Sequence, residues 1–153
     1  MNFQIGLVIL FLAISTVYPE CIQNGSKTSD GLLVGNQKQL SIESLNSKSI
    51  IQVALNATHL FNLRDNATKN YHKLVCIKSG TSQIVNGILY RFDVTLQKTD
   101  CLKTDLDNNS EHGFLSVKSL KNIESCKLTD EKVETVLTVN SMPWKDKEPF
   151  ILL

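Results

Sequence analysis

Residues 47–64 carry the one sustained helical period in this chain, and the longer apolar patterns after it alternate in twos. Ile50, Ala54, Ala57 and Phe61 recur at the spacing of one helix face, and Ile51, Leu55 and Leu60 widen it. Ser47 or Ser49 can cap the first turn. At 1.5 Å per residue the helix runs about 27 Å. Lys48, Gln52, Asn56, His59 and Asn62 fall on the opposite face and are expected in water.

Beyond the helix the period changes. Residues 71–79 read as a strand with Gly80 marking a bulge, and residues 89–97 alternate with Tyr90, Phe92, Val94 and Leu96 on one face. Residues 99–131 read as a long, polar, irregular connection, of the kind a disulfide would close. Residues 133–139 form another strand, and 150–153 can pair back onto it. One long helix with about four strands after it is an α+β layout. The apolar stripe needs a surface to bury against, and one face of an antiparallel sheet supplies it.

The first 15 residues stand apart. Ile5 to Ile14 form an unbroken apolar run. About ten residues is too short for a spanning helix, which needs roughly 20, but it fits the centre of a secretory signal. Ala13 and Ser15 supply small residues for a cut after Ser15, and a cut as late as Glu20 stays open. The expected division is a signal peptide over 1–15, a flexible polar arm over 16–31 and a single domain over 32–153. At the end of the arm Leu32, Leu33 and Val34 make an apolar tip, and exposed apolar tips usually meet a partner.

A net charge of +1 and the lack of a basic stripe give no support to a nucleic-acid or membrane-surface role. Four cysteines, Cys21, Cys76, Cys101 and Cys126, read as disulfides in a secreted chain. None is spaced like zinc ligands and the histidines at 59, 72 and 112 are scattered, so neither metal nor cofactor is expected. Acceptors for N-glycosylation occur at Asn24, Asn56, Asn66 and Asn108, in keeping with a secretory route. Cys76 with His72, or Cys101 with His112, could be imagined as nucleophile and base. No catalytic motif surrounds either pair, and enzyme activity is not expected.

Between the two strands after the helix lies Gln83-Ile84-Val85-Asn86-Gly87, at a hairpin tip where Gly87 tolerates positive φ. Pro143 cannot donate to a sheet ladder, which places Pro143-Trp144 in a second turn. A Trp held there is a rigid apolar anchor.

Gly35, the Gln83-x-Val85-x-Gly87 segment and Pro143-Trp144, in that order, resemble the cystatin family of cysteine-peptidase inhibitors over residues 31–153. The resemblance implies a five-stranded antiparallel sheet wrapped around one helix, with residues 36–42 as its first strand. It also implies that the two hairpins and the segment before Gly35 form an apolar wedge in the cleft of papain-like, cathepsin-type peptidases. Leu33 and Val34 would then fill non-primed subsites, and Gly35 would let the backbone pass the catalytic centre uncleaved. Asn86 stands where many members have alanine, and Asn36 where many have a second glycine. Secreted members carry two disulfides in the C-terminal half. Cys101 and Cys126 resemble the first pair, while Cys21 and Cys76 depart from the pattern; bridged to each other, they would restrict the arm. Thr68 and Lys69 stand where some members carry a legumain site, so no legumain inhibition is expected. The expectation is a secreted, reversible, competitive inhibitor, a monomer open to hairpin exchange into dimers. The rival reading is a cystatin-fold binding module that acts through another surface.

Overall fold

The computed structural model describes residues 21–24, 36–106, 115, 117–145 and 149–153. The expected signal peptide, Leu33, Val34, Gly35, Asn108 and His112 lie outside these residues.

Five strands form one antiparallel sheet in chain order: β1 (Gln37–Gln39), β2 (Asn70–Val85), β3 (Gly87–Leu102), β4 (Leu128–Ser141) and β5 (Phe150–Leu152). The helices are α1 (Ile42–Leu45), α2 (Lys48–Arg64), α3 (Lys103–Leu106) and α4 (Val117–Ser125). The architecture is α+β, as the two periods predict.

Helix α2 begins where Ser47 accepts from the Ile50 amide through its side chain, at 3.4 Å. Its Ile50, Val53, Ala54 and Ala57 pack against Phe92, Val94 and Leu96 of β3 and Leu137 and Val139 of β4, all buried. These strand residues are the inward set of the alternation. β2 pairs with β3 along nearly its whole length and takes register shifts at Leu74/Cys76 and Ile77/Ser79. Such bulges bend a strand and sharpen its twist, which lets long strands wrap a helix. Gly80 is not the bulge. It pairs in register with Phe92, and a Cβ there would lie 3.0 Å from the Phe92 ring and 3.1 Å from Leu40 and Leu45. Close packing under the ring, not strand irregularity, favours glycine.

Three further expectations are corrected. The first strand is shorter than 36–42, because Ser41 leaves the sheet to cap α1, its Oγ accepting from the Ser44 amide at 3.2 Å. β4 runs past the 133–139 apolar core, since Lys132 pairs with Gln97 and, across a register shift, Leu128 pairs with Thr99 of β3. The connection expected to be irregular contains α3 and α4 and returns to α2, where Tyr71, Leu115 and Ile123 form a second buried cluster. Asn56, Asn62 and His59, on the face expected in water, are buried, Asn56 against Leu115 of this connection and His59 and Asn62 against Tyr71 and His72 of β2. Asn56 Nδ2 donates to Gln52 O at 2.8 Å and its Oδ1 accepts from the Leu115 amide at 3.2 Å. Asn62 Nδ2 donates to Thr58 O and His72 O, and its Oδ1 accepts from the His72 amide. Buried amides are tolerable only when satisfied in this way.

Disulfides join Cys21 to Cys76 and Cys101 to Cys126. The second closes 25 residues of the β3–β4 connection, worth about 3 kcal/mol in lost unfolded-state freedom. Within the arm expected to be flexible, Cys21–Asn24 is instead held along β2. The Asn24 amide donates to Lys78 O at 2.7 Å, Gln23 Nε2 donates to Ile77 O at 3.2 Å, and the Gln23 and Asn46 side chains exchange hydrogen bonds.

Candidate functional site

The hairpin β2–β3 turns at Asn86, with Val85 opposite Gly87, Ile84 opposite Ile88 and Gln83 opposite Leu89. Gly87 sits at φ +109°, a conformation open to glycine at little cost. A second constraint acts on the same atom. A Cβ on Gly87 would lie 2.6 Å from the Ser141 carbonyl, 2.7 Å from Asn140 Oδ1 and 2.8 Å from Met142 Cγ. The glycine therefore lets the end of β4 close directly over the first hairpin. Asn140 completes the junction by donating from Nδ2 to the Asn86 carbonyl at 3.1 Å.

The second turn grows from that junction. Met142 is 3% exposed and its amide donates to Pro149 O at 2.7 Å, while the Lys145 amide donates to Met142 O at 2.9 Å. Pro143 and Trp144 are carried out between these bonds, and Trp144 is 61% exposed. Val85 at the first tip is 46% exposed. Ile84, Val85, Gly87, Ile88, Tyr90 and Trp144 line one open hollow of about 810 Å³ at this edge. Tyr90 stacks on Phe92 at 5.5 Å, and burial pushes its phenol above its ordinary value, so it stays neutral.

Thus Gln83–Gly87 and Pro143–Trp144 come together on one edge of the sheet. Leu33, Val34 and Gly35 are outside the described residues, but Gln37 pairs with Gln83, so β1 joins the sheet beside the first hairpin. Sequence reasoning missed Asn140 and Met142. The only sequence sign of either is a polar residue ending an apolar alternation, too common to single out.

The edge offers apolar contact and no reacting group. The imagined nucleophiles Cys76 and Cys101 are both in disulfides, and no cysteine is free among the described residues. His72 is buried at 3% exposure, set edge-on to Phe61 at 6.1 Å, and its Nδ1 has no partner among the described residues. Desolvation first, then the Lys103 ammonium, lowers its pKa. It serves the interior near the far end of β2.

The glycosylation acceptors separate by burial. Asn24 and Asn66 are exposed, whereas Asn56 is fully buried with both ends of its amide engaged, so the expected glycan there does not fit this fold. Among the described residues, no helix is long and apolar enough to cross a membrane.

A family model described as the cystatin domain matches residues 39–135, a span that includes Gln83–Gly87 and stops before Pro143. Cystatin-1 of Crotalus adamanteus is 28% identical over 112 residues, covering 71% of this chain and 73% of that protein. Among solved structures, dimeric human cystatin F superposes with a TM-score of 0.56 at 20% identity, covering 83% of this chain and 89% of the other. The salivary cystatin of the soft tick Ornithodoros moubata gives 0.52 at 14% identity, with 78% and 94% covered. At these identities the structures speak to the fold, and they share this one.

Proposed function

The chain belongs to the cystatin family, whose members inhibit cysteine peptidases and are not enzymes, and from that premise we propose that it is a secreted, reversible, competitive inhibitor of papain-like peptidases of the cathepsin class. The observation that carries this reading is the junction of the two hairpins, where Gly87 admits the Ser141 carbonyl and Val85 and Trp144 stand exposed on one hollow.

In this reading Gln83–Gly87 and Pro143–Trp144 enter the cleft as one unit and exclude substrate. No bond is made or broken and the peptidase nucleophile is left intact. Val85, Ile84 and Trp144 supply the apolar contact, and the strand backbone at Gln83 with the Asn86 turn bonded to Asn140 fixes their direction. Because the sheet presets both hairpins, little ordering is required on binding. Leu33, Val34 and Gly35 add the non-primed side. An interface of roughly 1,600 Å² is ordinary for protease–inhibitor pairs. The two disulfides suit an oxidising compartment, in keeping with secretion.

The test is a titration of active-site-counted papain with verified monomer, beside Trp144→Ala and Gly35→Arg. Stoichiometric loss of activity that weakens in both variants supports the wedge. Full papain activity in excess monomer would overturn the reading in favour of a binding module that uses another surface.

A further inference from the structure

The first hairpin turns on an Asn-Gly pair. Asn86 is exposed between Val85 and Gly87, which pair across the two strands, and Gly87 stands at φ +109°. Asn-Gly suits a tight turn because glycine adopts positive φ freely and asparagine tolerates it. The same pair is chemically reactive. An asparagine side-chain amide lies one ring closure from the backbone nitrogen of the next residue. A glycine there presents no Cβ to obstruct the approach.

We propose that Asn86 is a site of spontaneous deamidation, at a rate restrained by its hydrogen bond from Asn140. The Gly87 nitrogen gives up its proton to solvent and attacks Asn86 Cγ. The bond from Cγ to the side-chain nitrogen breaks, and that nitrogen leaves as ammonia with a proton from water. A cyclic imide remains, with the Gly87 nitrogen joined to both Cγ and the backbone carbonyl carbon. Water then opens it. Cleavage at Cγ leaves aspartate in an ordinary backbone, and cleavage at the backbone carbonyl leaves an isoaspartyl link through Cβ and Cγ. In sum, one amide and one water become a carboxylate and an ammonium ion.

The fold opposes the first step at a named atom. The Asn86 carbonyl accepts from Asn140 Nδ2 at 3.1 Å. Ring closure needs a rotation about the Asn86 Cα–C bond that lies outside the regions open to an L-residue. The peptide unit must therefore turn, and the turn carries the carbonyl off Asn140. Loss of that bond adds to the barrier. Asn86 thus reacts more slowly than in a free peptide, and faster once the Asn140 donor is removed.

Both products place a carboxylate beside Val85, where a neutral amide stood. Aspartate keeps the backbone path and its bond to Asn140. The isoaspartyl link lengthens the main chain and loosens the hairpin junction. If the inhibitory reading above holds, inhibition decays as the protein ages; the modification itself does not depend on that reading. The other Asn-Gly pair, Asn24-Gly25, lies in a glycosylation acceptor. A sugar on Asn24 occupies the nitrogen that has to leave.

The test is peptide mapping by mass spectrometry of the full secreted chain aged at mildly alkaline pH, beside Asn140→Ala, Asn140→Asp, Asn86→Gln and a free peptide of residues 81–91. The expected result is conversion at Asn86 that is slowest in the native chain and fastest in the peptide. Asn140→Ala should speed it about fivefold, the factor that one ordinary hydrogen bond represents. Asn140→Asp keeps the side-chain shape without the donor and should also convert faster than the native chain. Asn86→Gln should stay unconverted, because its longer side chain closes a ring far less readily. Papain titration of the same samples should show inhibition falling in step with conversion, and holding its starting level in Asn86→Gln. A native chain that stays unconverted while the peptide reacts, or a rate indifferent to both Asn140 variants, overturns the proposal. Conversion with undiminished inhibition overturns its effect on the wedge. A fresh chain that never inhibits papain overturns the earlier reading alone.

Discussion

Asn140 donates its side-chain amide to the Asn86 carbonyl, so a residue near the end of β4 holds the tip of a hairpin 54 positions earlier in the chain. Beside it Gly87 leaves room for the Ser141 carbonyl. The two exposed turns are thus tied at one junction, and the consequences can be measured.

Gly87→Ala should damage both the fold and the edge. Alanine must take a positive φ and place Cβ 2.6 Å from the Ser141 carbonyl oxygen. A cost of about 1–3 kcal/mol in unfolding free energy is expected. Inhibition should fall further than stability does, because relief of the clash separates the hairpins. Asn140→Ala loses one bond at the tip, about 1 kcal/mol, and should weaken papain binding with only a small change in melting temperature. Equal losses of binding and stability in both variants would contradict a rigid junction.

Glycopeptide mapping of secreted protein should find sugar on Asn24 and Asn66 and none on Asn56. Both ends of the Asn56 amide are bonded inside the fold, one of them to the Leu115 amide. Asn56→Ala leaves that amide unsatisfied and should destabilise by about 1–3 kcal/mol. A folded, active fraction glycosylated at Asn56 would refute the packing of the β3–β4 connection.

Stability should decline on mild acidification through His72. Its folded pKa lies below the ordinary ~6.5, by desolvation and the nearby Lys103 and Lys98 ammonium groups, with Asp65 and Glu131 opposing. A depressed histidine is neutral in the fold and readily protonated once unfolded. Its contribution is therefore complete above about pH 6.5 and is lost as pH falls through the lower folded value. Asp65 behaves similarly at lower pH. Burial alone would raise its pKa, but bonds from the Ala67 amide and Lys103 bring the net value down. His72→Phe should flatten the melting-temperature profile between pH 7 and 5. An unchanged slope would assign the acid sensitivity to other groups.

Removing the Cys21–Cys76 bridge by serine at both positions should cost about 2–4 kcal/mol. It also frees Cys21–Asn24 from β2 and lengthens the search of the arm before Gly35. Papain affinity should drop, while Trp144→Ala should weaken binding by the same factor in either background. Peptide mapping of the unreduced protein checks the premise: a free thiol at Cys21 or Cys76 contradicts it.

Some of this was legible residue by residue. Ile50, Ala54 and Ala57 announced the buried helix face, and Phe92, Val94 and Leu96 the inward side of β3, because both patterns repeat over a few neighbours. The Gln83–Gly87 turn and the Pro143 break were legible for the same reason: glycine and proline impose local backbone rules. Asn56, His59 and Asn62 were misread as wet. Asn56 meets Leu115, His59 meets Tyr71 and Asn62 meets His72, partners distant in sequence that leave no local periodic trace.

By itself the sequence determined the alternation of one helix with long strands, the two turns and the residues on them, since these follow from side-chain period and backbone freedom. Only the tertiary structure decided that Ser141 closes over Gly87, that Asn56 is interior and that β5 pairs with Val139–Ser141 at the end of β4. Those outcomes are set by which distant surfaces meet, and contact across the fold is a property of the assembled sheet and helix, not of any stretch read alone.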